Sequence, residues 1–473
     1  MIVDPKLAGR MNDELERDLE PQKGRLGKVK RYLEGDHDLP YMPKGASGEF
    51  LHLAQRSVTN WTPLLSDTYG KGLFVDGYRP AKAADNSTGW SYWQANGLDA
   101  RQSVAHRGAF EYGASYTLIL PGTVQSRRVP LMRPLSPLRS MAWYRDEDDE
   151  HPELALRRVG KTADGTQLLE MFDKTNVYTF ARPKDYGTNW ILSSTDEHGL
   201  GVTPFVRFRD RLDGDSVGII RPLIGLQDRI NEIVFSTLIA IQYASFRQRW
   251  ATGLAIPVKE VQDPEHPDDP NATIEIPVEP FEAAVNRLWV AEDEQARFGD
   301  FAQTELSGHA AAYKEGVGTF ASLAQISPNI FTGDLVNISA EALAQMERST
   351  QLKLGQYETL FGEAWESAFR LAAHAARDTK GAVDFDAQVR WRDTEARSMA
   401  QTVDALGKVA TMLQVPVEAL WDRIPGVTDQ DVIRWKALRQ TDPLADLVAT
   451  VAKQTATANT PVVQAPTNPA IEA

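Results

Sequence analysis

Residues 222–250, PLIGLQDRINEIVFSTLIAIQYASFRQRW, constrain the fold more than any other stretch. Leu223, Leu226, Ile230, Ile233, Val234, Ile241 and Ala244 recur at three- and four-residue steps, the period of an amphipathic helix. Pro222 suits the first turn, where its missing N–H has no partner to lose. Arg247 and Arg249 suit the negative pole of the helix dipole, and Gly253 offers a stop. The run of about 14 residues between Glu232 and Arg247 carries no charge, and Phe235, Leu238 and Ile239 widen its apolar stripe. A helix this greasy needs neighbours on more than one side, in its own subunit or in copies of itself. The run is shorter than the roughly 20 residues that span a bilayer, and Ser236, Thr237 and Gln242 interrupt it, so no membrane span is expected.

The rest of the composition narrows the function classes. A chain of 473 residues has room for two to four domains or layers. Its 51 basic and 65 acidic residues give a formal charge of −14, which disfavours a broad, tight grip on nucleic acid. With no cysteine, disulfides, thiolate zinc sites and cysteine nucleophiles are excluded. The N-terminal stretch shows no apolar signal core.

The chain organises as α+β. Residues 10–34 read as a charged helix broken or kinked at Pro21, and 49–68 as a second helix. A short strand runs through Phe74-Val75-Asp76-Gly77, and a helical pattern covers 90–112. Residues 114–120 are strand-like, and further short strands follow to about Phe208, at 129–132, 141–144, 154–159, 168–172, 177–180 and 190–192. Together they predict an antiparallel sheet joined to the preceding helices. After the central helix, residues 254–298 are dense in Pro and Asp and predict a small exposed lobe, with strands at 256–261 and 273–278. Helix returns over 301–326 and ends at Ser327-Pro328. Ser339 caps a helical pattern of about 39 residues. Val383-Asp-Phe385 and Val389-Arg-Trp391 are strand-like, two or three helices occupy 394–440, and the Thr/Ala/Pro-rich end predicts disorder.

No constellation points to catalysis, a cofactor or a metal. The acidic run Asp146 to Glu150 reads as a solvated turn between strands. Asp228 and Glu232 share a helix face, but no histidine stands at a companion spacing, so an exposed face is expected. Gly214-Asp-Ser-Val-Gly218 matches G-x-S-x-G without the flanking strand and helix of a nucleophile elbow. The stretch from Lys314 to Phe320 is glycine-rich, yet sits inside a helical pattern without a Gly-Lys-Ser/Thr ending. Trp90, Tyr92 and Trp93 have the chemistry to stack bases, but packing onto a sheet is the commoner use. Residues 329–339 carry Phe331, Leu335 and Ile338 with a single charge, Asp334. Such a connection is either buried between helices or turned toward a passing ligand.

Four stretches resemble the portal proteins of tailed bacteriophages, of the type found in phages of actinobacteria. The first is Trp93-Gln-Ala-Asn96-Gly-Leu98-Asp99 followed by His106 and Tyr112-Gly113. The second is 222–253, with Leu226-Gln-Asp-Arg-Ile-Asn231 and the exit Gln248-Arg-Trp-Ala-Thr-Gly253. Residues 300–328 are the third. In the fourth, 337–354, Ser339-Ala340-Glu341-Ala342-Leu343 has Ala where the family often has Gly. The resemblance implies a portal-type fold: a wing over 1–220, stem helices at 221–253 and 299–327, and a clip at 254–298. It further implies a channel loop at 328–339, a wing return at 340–393, crown helices at 394–442 and a tail beyond. It implies a cyclic homo-oligomer, in the family usually a dodecamer, at one capsid vertex of the virion, assembled in the host cytoplasm. Double-stranded DNA would be packaged and ejected through it without sequence specificity. Terminase large subunit, head-tail adaptor, major capsid and scaffolding proteins are the implied partners. Asn329, Phe331, Asp334, Leu335 and Asn337 would face the channel, and Ile230, Val234, Phe235, Leu238 and Ile241 would form the stem interface between subunits. The rival readings are another virion ring or shell protein, a carboxylate-dependent hydrolase and a peripheral membrane protein.

Overall fold

The structure is a computed structural model, and it describes residues 24–42, 48–80, 87–124, 127–184, 190–245, 249–252, 258–262, 273–277, 297–300, 305–333, 340–392, 399–424, 426–427 and 429–440. Helices and strands are mixed, as expected for an α+β chain. The helices are α1 (24–34), α2 (Gly48–Arg56), α3 (Thr62–Gly72), α4 (Ser87–Ala95), α5 (Leu98–Tyr112), α6 (Ile224–Ser245), α7 (Ser307–Leu323), α8 (Asn329–Thr332), α9 (Ala340–Ala376), α10 (Met399–Met412) and α11 (Asp429–Gln440). None of them, among the described residues, is long and apolar enough to cross a membrane. The chain divides into two compact units. One is drawn from 68–216 and from 354 onward, the other from 24–67 and 217–353. The first helices therefore group with α6 and α7, not with the sheets that follow them.

In the first unit, β1 (Val75–Arg79) pairs antiparallel with the late strand β16 (Gln388–Trp391). The centre of the unit is β2 (Ala114–Leu120), whose interior residues are all buried. Its near-continuous apolar run fits a strand covered on both faces. After β2, β3 (Thr123–Val124) and β4 (Arg127–Arg128) form a small ribbon. β5 (Leu131–Leu135) then pairs with one edge of β2, and β11 (Phe205–Arg209) with the other, both antiparallel. Helix α5 lies against this sheet, and Ser115 Oγ donates to Ala105 O at 2.6 Å. A Cβ on Gly108 would sit 2.8 Å from Ser115 Cβ, so only glycine admits this approach. A second sheet is a meander of β6 (Ser140–Trp143), β7 (Leu154–Lys161), β8 (Gln167–Phe172), β9 (Asn176–Arg182) and β10 (Ile191–Glu197). Ala155 and Phe172 from the meander share a core with Tyr116, Leu118 and Phe205 from the first sheet.

Several expectations change in detail. Over 114–209 the described strands form two antiparallel sheets and the β3–β4 ribbon, where the sequence suggested one sheet. The helical pattern over 90–112 is broken at Gly97, whose φ of 62° is left-handed. The expected helix over 49–68 is two helices, α2 and α3. Residues Gly381–Val383 form a 3-10 turn, so Val383 and Phe385 stand exposed and not in a strand.

In the second unit, a 3-10 turn, Arg221–Leu223, leads into α6. Next come β12 (Arg249–Thr252), β13 (Val258–Gln262), β14 (Thr273–Pro277) and β15 (Arg297–Asp300). They form two nested antiparallel ribbons, β13 with β14 and β12 with β15. The expected strands at 256–261 and 273–278 are therefore present, and the described residues of β13 are exposed. Helix α7 follows β15. Pro21, Gly253, Ser339 and the Thr/Ala/Pro-rich end lie outside the described residues.

Candidate functional site

The α6–α7 pair is where the sequence reading places function. The order α6, β12, β15, α7, with antiparallel ribbon pairing, makes the two helices antiparallel. They meet at Gly316, where an added Cβ would stand 3.4 Å from Ile230 Cγ1 and 3.6 Å from Ile233 Cδ1. The buried stripe of α6 mixes apolar and polar side chains. Ile230, Gln227 and Asn231 are all fully buried.

Those two amides tie α6 to the chain's earliest helices. Gln227 Nε2 donates to Thr59 O at 2.6 Å and to Asn231 Oδ1 at 3.1 Å, while its Oε1 accepts from Trp61 N at 3.1 Å. Asn231 Oδ1 also accepts from Thr59 N at 3.1 Å, and its amide nitrogen lies 3.0 Å from His37 Nδ1. His37 Nε2 faces Tyr32 O at 3.1 Å and Asn60 Oδ1 at 3.2 Å. That pattern fits the neutral tautomer with its proton on Nε2. The Tyr32 ring stacks on the His37 ring at 4.5 Å, and its hydroxyl donates to Asp228 Oδ1 at 2.6 Å. Burial, then this hydrogen bond, pushes the Tyr32 phenol up, so it stays a donor. Asp228 is thus half-buried and engaged, which corrects the expectation of an exposed Asp228–Glu232 face. Glu232 is exposed as expected.

The proposed interface residues separate into two groups. Ile230 is fully buried and Phe235 is 8% exposed, so both belong to the subunit's own core. Val234 and Leu238 are half-buried, and Ile241 is exposed. The proposed channel loop also divides. Asn329 and Phe331 sit in the single turn of α8, not in a loop. Phe331 is buried edge-on to Trp61 at 5.5 Å and to Phe320 at 5.6 Å. Asp334, Leu335 and Asn337 lie outside the described residues. Beside Phe331 an apolar groove of about 520 Å³ opens between Trp61 and the α7 face of Ala310, Tyr313, Lys314 and Val317.

A family model for phage portal proteins of the SPP1 Gp6-like type matches residues 12–442. The chain belongs to this portal protein family. It is 26% identical over 420 residues to the portal protein of Mycobacterium phage D29, covering 86% of this chain and 83% of that one. It is 23% identical over 355 residues to the portal protein of Mycobacterium phage L5, covering 73% and 71%.

In this portal protein the residues of the first resemblance stretch are structural. Trp93 Nε1 donates to Asp99 Oδ1 at 2.8 Å. Asn96 donates to Tyr92 O and Pro130 O and accepts from Met132 N, tying α4 to β5. Trp365 Nε1 donates to His106 Nε2 at 2.8 Å, and His106 Nδ1 faces Leu73 O at 3.2 Å. Burial pushes the His106 imidazole down to about 3, so it is neutral with its proton on Nδ1. Trp93 is fully buried and stacked by Trp90, which supports packing over base stacking.

The remaining motifs find plain roles. Asp146 to Asp149 form an exposed turn, but Glu150 accepts from Ser367 Oγ at 2.6 Å and pairs with Arg370 at 3.3 Å. Among the described residues no three His, Asp or Glu side chains converge to hold a metal ion. Lys314 to Phe320 lies within α7, and Gly214 to Gly218 lies in irregular chain between β11 and the turn before α6. The polar set His37, Thr59, Gln227 and Asn231 was not singled out from the sequence as a unit. Its signal is an amide pair four residues apart on the buried stripe of α6.

Proposed function

We propose that this portal protein assembles as a closed ring of identical subunits, twelve by family resemblance, at one vertex of the capsid. α6 and α7 act as the stem, and the ribbon region between them as the clip that meets terminase large subunit and the head-tail adaptor. The sheet unit is the wing, and α10 and α11 with their 3-10 turns are the crown toward the capsid interior, near major capsid and scaffolding proteins. Assembly takes place in the host cytoplasm. The role is structural: DNA passes in during packaging and out during ejection. The observation that carries the reading is an antiparallel helix pair ending in an exposed ribbon, in a chain that belongs to the portal family. The acidic balance of −14 suits a conduit, because basic side chains would hold the phosphates of moving DNA.

The connection 328–339 is the proposed channel segment, with Asp334, Leu335 and Asn337 among its residues, and it acts by shape. Asp334→Lys adds one phosphate contact per subunit. The expected outcome is normal ring and capsid assembly with DNA packaging slowed or stalled. Packaging at the parental rate in assembled particles removes the segment from the DNA path.

A further inference from the structure

The groove beside Trp61 and Phe331 has a chemical counterpart on the other side of the same helix pair. The groove is apolar, and among the described residues lining it only Lys314 carries a charge. It lies on the Trp61 side of α6, the side to which Gln227 and Asn231 point. Glu232 and Ser236 are exposed on the other side of α6, and Ala240, one turn further, is half-buried. Residues four apart stack into a ridge along a helix. This ridge starts with a carboxylate and continues with two small side chains.

Height also matches. Gly316 packs on Ile230 and Ile233, and Trp250 pairs with Gly299 beyond the helix ends. That antiparallel register puts Lys314 level with the turn of α6 holding Glu232 and Phe235. It puts Ala310 level with the turn holding Ser236 and Ile239. A groove on one side and a ridge on the other, at one height, are the two unlike halves that a head-to-tail ring contact requires.

We infer that the groove of one subunit receives the Glu232–Ser236–Ala240 ridge of the next, with the Glu232 carboxylate directed at Lys314. The inference rests on the ring reading and adds the residues at which neighbouring copies meet. Ser236 and Ala240 are small enough for the ridge to sit deep between Ala310 and the Trp61–Phe331 pair. The ion pair fixes the register, since a slip of one turn in either direction sets Glu232 against an uncharged residue of α7, Ala310 or Val317.

The chain has no cysteine, so an introduced pair reports without background. The test is Ser236→Cys with Ala310→Cys in the full chain, each alone as a control. Ring formation is first checked by negative-stain imaging under reducing conditions. Mild oxidation of the double variant should then give a ladder of covalent oligomers on a non-reducing denaturing gel, and each single variant only monomer. Rings that assemble yet run as monomer after oxidation overturn the groove contact and leave the ring reading intact. A parental chain that forms no ring, alone or with its capsid partners, overturns both. Should the cysteine pair itself block assembly, charge reversal decides. Lys314→Glu should raise the concentration for half-assembly about tenfold, and adding Glu232→Lys should restore it. Failure of the second change to rescue the first counts against the pairing.

Discussion

Two buried histidines hold the two units by different physics. His106 sits in an aromatic core, stacked on Phe361 with ring centroids 5.5 Å apart and bonded to Trp365. His37 sits in a polar knot of amides, hydroxyls and backbone groups around Gln227 and Asn231. The aromatic core draws its stability from buried area and ring packing, and tolerates a histidine only as the neutral form. The polar knot adds less burial but more geometry, because each buried amide has to meet every partner at once. The difference assigns roles: the aromatic core stabilises the sheet unit, and the polar knot fixes where α6 stands against the first helices.

Removing Trp365 is the strongest way to break that contrast. Trp365→Ala empties a fully buried site and leaves His106 Nε2 without its donor. A loss of about 4 kcal/mol is expected, read from urea unfolding. A loss no larger than that of a surface change contradicts the aromatic core's role. On the polar side, Asn231→Leu keeps the branched shape but leaves Thr59 N–H and His37 Nδ1 unpaired inside the unit. That should destabilise by about 2–3 kcal/mol, the desolvation cost of buried groups without partners. Equal stability of variant and parent would mean the knot is ornamental.

The smallest effect is a pH dependence. Folding lowers the His106 pKa from 6.5 to about 3, so the unfolded chain takes up the proton first as the pH falls. The stabilisation is complete above about pH 6.5 and is lost progressively on acidification toward about 3. Between pH 6.5 and 5.5 the parent should lose at most about 1.4 kcal/mol more than His106→Gln, which retains a donor and an acceptor. Parallel stability curves for the two proteins over that window contradict the neutral, buried assignment.

The same contrast explains what was legible in the sequence. Periodicity is local, so α6, the long α9 and the meander strands could be read from the spacing of apolar residues. β2 stood out as a strand-like stretch over 114–120. The polar knot joins residues 166 to 196 positions apart, and no local pattern encodes which amide meets which carbonyl. Phe331 shows the same limit: its apolarity in a short connection fits a channel face and a core equally, and its packing on Trp61 and Phe320 has no local signature. Ile230 and Phe235 look like surplus surface on an isolated helix and become core once α1, α2 and α7 pack around it. Gln227 and Asn231 belong to the Leu226–Asn231 stretch that carried the resemblance, so the motif was visible before its bonding was.

The central claim is that copies of this chain close into a ring, and native mass spectrometry of the purified full chain tests it most directly. The account predicts one dominant species at an integer multiple of the 52.5 kDa subunit, twelve by family resemblance, with no ladder of open intermediates. A chain that stays monomeric at every concentration, with and without capsid and scaffolding partners, contradicts it.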